Sequence, residues 1–158
     1  MRKINIIRLI FCGVVAGVVL DVLSYLVNGL LLDQNWSDEL LALGRNEFSI
    51  AQLIQFDSIG IFFGIATIFL YIVFRETFGA NWKTAVYVGV TAWVIGVVLP
   101  NASLLFVTDL FSKHLIVYTT AGGLVEVVAG TVAGAYFYKP RPSRHSKIVS
   151  TRKDMESL

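Results

Sequence analysis

Four apolar stretches, each long enough to cross a bilayer, limit what this chain can become more than any other feature. Backbone N–H and C=O groups find no water in hydrocarbon, so a run of about 20 apolar residues must bond them internally, as helix. Such spans are expected over residues 4–32, 50–75, 82–107 and 114–138. Ser49 and Gln52 form the Ser-x-x-Gln capping pattern that satisfies free amides at a helix start, and they place the beginning of the second span. Pro100 and Asn101 are expected to kink or end the third before the apolar run resumes at Ala102, and Lys139 with Pro140 closes the fourth. Composition agrees: 56% of the 158 residues are hydrophobic and 15% charged, against roughly 45–50% and about 25% in soluble domains. The expected fold class is all-α membrane. It is an antiparallel four-transmembrane-helix bundle over 1–138, followed by a basic tail over 139–158 that is expected to be disordered.

Charge asymmetry sets the expected orientation. Arg2, Lys3 and Arg8 begin the chain, Arg75 and Lys83 flank the second connection, and Lys139, Arg141, Arg144, Lys147, Arg152 and Lys153 follow the fourth span. Only Arg45 and Lys113 fall on the opposite side, where Asp33, Asp38, Glu39 and Glu47 gather. By the positive-inside rule both termini are cytoplasmic. The apolar run from Leu9 to Leu32 far exceeds the roughly 7–15 residues of a signal-peptide core, so the first span is expected to be retained. The basic tail beside a membrane is expected to meet anionic lipid headgroups; no aromatic residue interleaves its Lys and Arg, so nucleic acid is not an expected partner. The loop over 33–48 holds a short amphipathic stretch, Asp38 to Leu43 before Gly44, with Trp36 as an interfacial anchor. It reads first as a connector resting on lipid and second as a lid.

Inside the spans, two residue types stand out. Lipid gives little hydrophobic drive between helices, so association relies on close approach at small residues. Gly13 and Gly17, Gly60 and Gly64, and the stripe of Gly122, Gly130 and Gly134 are the expected packing positions. The second type is acidic. An Asp at a span centre costs about 2.5–3.5 kcal/mol on insertion scales, so each intramembrane acid marks a candidate site. Asp21 and Glu126 are expected at matching depth, with Asp57 shallower, at the mouth of the site. Ser24 and Asn28 continue a polar stripe from Asp21, Tyr25 lies beside it, and Asn101, Thr119 and Thr120 are further polar candidates. No Lys or Arg lies at that depth, so the acids are expected either to share or hold a proton, or to bind a cation. The alternative is polar glue between helices. A weak likeness between Ala16–Val22 and Ala121–Val127, with Ala, Gly, an acid and Val in register, would suit an inverted repeat.

Other chemistries find no residues to carry them. One cysteine, Cys12, excludes an internal disulfide and a Cys-x-x-Cys centre. There is no Gly-x-Ser-x-Gly, His-Glu-x-x-His, phosphate-binding loop or Glu-x-x-His pair, and His114 is expected at an interfacial helix start. Neither enzyme activity nor a cofactor or metal is expected.

Taken together, Ala16-Gly17-Val18, Asn28-Gly29 and Gly123-Leu124-Val125-Glu126 make the chain resemble a group of small bacterial four-span membrane proteins of unknown function, over roughly Asn5 to Lys139. The resemblance implies a bacterial inner membrane and carries no activity or site residues. Two functions from different classes follow as expectations. One is an acidic, outward-facing intramembrane pocket, at Asp21, Glu126, Asp57, Ser24 and Asn28, that binds or translocates a proton, small cation or cationic ligand; transport would call for a homo-oligomer. The other is an accessory subunit of a larger membrane complex, packing through its glycine faces.

Overall fold

The computed structural model describes residues 4–45, 48–108 and 110–138. The basic tail over 139–158, with its expected disorder and lipid contacts, lies outside them, as do Arg2, Lys3, Glu47 and Asp109. Among the described residues the chain is helical, without strands. Four helical runs are long and apolar enough to cross a membrane: Ile6–Leu31, Ile50–Phe78, Trp82–Thr108 and Lys113–Phe137.

Each run begins where its sequence supplies a cap. The side chains of Asn5, Ser49, Asn81 and Ser112 accept from the backbone N–H groups of Arg8, Gln52, Thr84 and Leu115, which would otherwise be orphaned at the helix start. Gln52 answers Ser49 by accepting from its backbone N–H at 2.9 Å, completing the capping box. Helix α1 is Ile6–Ser24 and continues as a π-helical segment, Tyr25–Leu31. Helix α2, Asp33–Ala42, follows at once, and α3 is Ile50–Phe78. Helix α3 runs past Arg75 and ends at Gly79, whose φ of +85° is a conformation that residues with a Cβ rarely adopt. The third span is α4, Trp82–Trp93, then π turns over Val94–Val98, α5 over Leu99–Ser103 and a second π segment over Leu104–Thr108. The fourth is α6, Lys113–Phe137.

Two of these differ from expectation for physical reasons. Pro100 neither ends nor interrupts its helix. It lacks an N–H and its ring crowds the carbonyl four residues back, and the wider π turns on both sides accommodate the lost bond. Helix α2 starts at Asp33, five residues before the stretch expected from the sequence. Asp33 lies in its first turn, where a carboxylate is favoured by the helix dipole, and Gly44, with φ +67°, follows its end.

Packing inverts the pattern of a water-soluble protein. The buried positions are mostly small, among them Cys12, Ala16, Ala85 and Ala92, while Ile7, Phe106 and Val107 are about four-fifths exposed. Apolar surface of this extent suits a chain surrounded by lipid. Helix α1 is the hub: it packs most extensively on α3 and α6, and α4 packs on α6. Gly13 and Gly17 let α1 approach the backbone of α3 at Ile65 and Ile61, and Gly64 returns the approach against the backbone of Gly13 and Gly17. On the other side Gly130 and Gly134 of α6 meet the carbonyls of Ala16 and Cys12, and Gly122 meets Val27. These six glycines, and Gly60 beneath the Asp21 side chain, therefore face another helix of this chain. The cap at Asn81 offers a contained test. Asn81 also bonds the Phe78 carbonyl and the Thr84 hydroxyl, so Asn81→Ala is expected to cost about 1 kcal/mol, read as a lowered melting temperature in detergent.

Candidate functional site

The two glycine stripes carry an acid each: Asp21 on the face of α1 that meets α3, and Glu126 on the face of α6 that meets α1. Asp21 lies four residues beyond Gly17 and eight beyond Gly13, so it shares their face and meets α3. Its carboxylate lies over Gly60, where a Cβ would collide with Oδ1. That oxygen is buried and accepts no hydrogen bond among the described residues. Asp57 is exposed and lies one helical turn before Gly60 on α3.

Glu126 sits half-way along α6, is 6% exposed, and faces α1 beside the Gly122 and Gly130 approach. It collects a polar shell from the other span. The Asn28 amide donates from Nδ2 to Glu126 Oε1 at 3.4 Å and to Ser24 Oγ at 3.1 Å. Ser24 is itself buried, 3% exposed. A third contributor comes from outside the spans: the Trp36 indole N–H of α2 donates to Asn28 Oδ1 at 3.4 Å. The Trp36 ring is wedged edge-on against Phe48 and Phe111, with centroids 6.0 and 5.7 Å away.

The sequence therefore identified most of the members but not their grouping. Glu126, Ser24 and Asn28 form one hydrogen-bonded cluster. Asp21 and Asp57 form a second group on the α3 side, and no hydrogen bond joins the two acids expected to converge. Tyr25 turns outward, 63% exposed. Thr119 and Thr120 bond to carbonyls of their own helix, and Asn101 donates to Thr120 at 2.8 Å rather than reaching the acids. His114 is exposed and contacts Tyr118 edge-on. Trp36 was the unrecognised member. Its signal was available: a half-buried indole N–H needs an acceptor, and Asn28 is the polar residue two helical turns before it.

No known family, curated protein or solved structure matches this chain. Its chemistry is thus argued from its own side chains. The basic residues at Arg8, Arg75, Lys83 and Lys113 are near helix ends, remote from the middle of α6. Among the described residues no three His, Cys, Asp or Glu gather as metal ligands. A cleft of about 390 Å³ opens between the π-widened third span and α6, lined by Trp93, Asn101, Thr120 and apolar neighbours; neither acid borders it. What remains for Glu126 is a carboxylate surrounded by neutral donors, an arrangement that suits a proton or a weakly held cation exchanging with it.

Proposed function

We propose that this chain is an integral protein of the bacterial inner membrane, an antiparallel bundle with both termini cytoplasmic, and that Glu126 with Ser24 and Asn28 binds a proton or a small cation entering from the outer side. Asp21 and Asp57 form a neighbouring acidic group that raises the local cation concentration. The observation that carries the reading is Glu126 itself: a carboxylate buried at the centre of a spanning helix, served by neutral donors from another span. Such a group is costly to place in a membrane unless it is used. Oligomerisation supplies the wider path that translocation would need, and the basic tail anchors the cytoplasmic side on anionic headgroups.

The test is flux in proteoliposomes. With sodium, potassium or proton gradients imposed in turn, the wild-type protein is expected to dissipate at least one, and Glu126→Gln, which preserves shape and hydrogen bonding but cannot ionise, is expected to abolish that response. Equal flux in the two proteins contradicts the proposal. The accessory-subunit reading gains less from the structure, because its glycine faces are already occupied within the chain.

A further inference from the structure

Helix α2 is attached to the bundle at few points, and two of them are hydrogen bonds with a specific geometry. Glu39 Oε1 accepts from the backbone N–H of Ser112 at 3.0 Å, at the start of α6. A carboxylate there is favoured by the exposed amides and positive dipole end of a 25-residue helix. The second is the bond from Trp36 Nε1 to Asn28 Oδ1. Apart from these, α2 contributes the edge-on contacts of Trp36 with Phe48 and Phe111 and one buried apolar side chain, Leu40, and packs on the Tyr25–Leu31 segment that precedes it. Elements held by so few buried contacts open before the rest of a fold does.

The Trp36 bond does more than fasten. An amide has one acceptor side and one donor side. With Oδ1 of Asn28 occupied by the indole, Nδ2 is obliged to face Ser24 and Glu126. In this state the carboxylate receives an N–H donor, which competes with a cation for the same lone pairs. Were Trp36 to withdraw, the amide would be free to turn over and present Oδ1, a cation ligand, beside the carboxylate.

We propose that α2 is the outer gate of the Glu126 site, that Trp36 and Glu39 are its two latches, and that Trp36 is a positioning residue which holds Asn28 in its donor-forward, cation-excluding orientation while the gate is shut. This rests on the reading of Glu126 as a proton or cation site, and it adds how that site is closed.

Access can be measured without any ligand. In a Cys12→Ala background, Ser24→Cys places a thiol behind the gate, and a charged, membrane-impermeant methanethiosulfonate is added from the α2 side. Labelling is expected to be slow with Trp36 and Glu39 intact. Trp36→Phe keeps the ring contacts with Phe48 and Phe111 but removes the N–H, and Glu39→Ala removes the other latch; each is expected to speed labelling about fivefold to tenfold, the loss of one hydrogen bond. Glu39→Gln, which still offers an oxygen to Ser112, is expected to stay close to the parent rate. Identical rates across Trp36→Phe, Glu39→Ala and the parent overturn the gate. The Glu39 pair decides the matter alone if Trp36→Phe does not fold. Because labelling reports access and not binding, its failure leaves the cation reading standing, and failure of the flux experiment leaves the gate standing.

Discussion

Gly64→Leu is expected to be the most damaging single substitution in the bundle. A Cβ at this position would overlap the backbone of α1, at the Gly17 nitrogen and the Gly13 carbonyl, in the contact that holds the hub helix to α3. A flexible side chain in the way could rotate aside; backbone cannot. Overpacking costs typically 1–3 kcal/mol where neighbours can shift, and here relief requires separating two helices over their most extensive interface, so a loss of about 3 kcal/mol or more is expected. Thermal unfolding in detergent, followed by circular dichroism, checks it. The comparison variant is Gly44→Ala. Gly44 has nothing within 4 Å of its would-be Cβ, and only its positive φ opposes the change, so a far smaller drop is expected there.

Glu126 is expected to separate function from stability, which is the second large effect. Glu126→Leu leaves the Asn28 amide, beside the buried Ser24, without its carboxylate acceptor in an apolar setting. Stranding buried donors costs about 1–3 kcal/mol. Glu126→Gln keeps an acceptor oxygen for Asn28 and is expected to melt near the wild-type temperature while losing its response to protons or cations. Residual activity in the Gln variant, or a Gln variant as unstable as the Leu one, contradicts the account of this cluster. The pair distinguishes a working carboxylate from polar glue: glue predicts that Gln substitutes without any functional loss.

Why the spans were legible and the site only partly so has a physical explanation. Hydrocarbon imposes one solution on a long apolar run, so hydropathy alone placed the four helices to within a few residues, and the Ser49 cap marked where the second begins. The rotation of each helix about its axis is a different quantity. It depends on which small-residue stripe meets which neighbour, and the sequence contained a clue in the four-residue spacing of Gly13, Gly17 and Asp21. That spacing ties Asp21 to whichever helix packs on the glycines. Glu126 is tied in the same way to Gly122 and Gly130, which meet α1 at Val27, Ala16 and Leu20. Equal depth suggested that the two acids would converge; the shared stripes give each acid its own packing neighbour, and no hydrogen bond joins them. The π segments have little signal outside Pro100, because the widening is set by packing. Trp36 was read as an interfacial anchor, since its partner is fixed only once α2 folds back over Asn28.

The central claim is that the Glu126 carboxylate exchanges a proton or cation, and infrared difference spectroscopy of the protein in lipid tests it most directly. Stepping the pH or the sodium or potassium concentration is expected to change a carboxyl band that vanishes in Glu126→Gln and persists in Asp57→Asn. A carboxyl spectrum indifferent to every step, or a change that survives in Glu126→Gln, would contradict it.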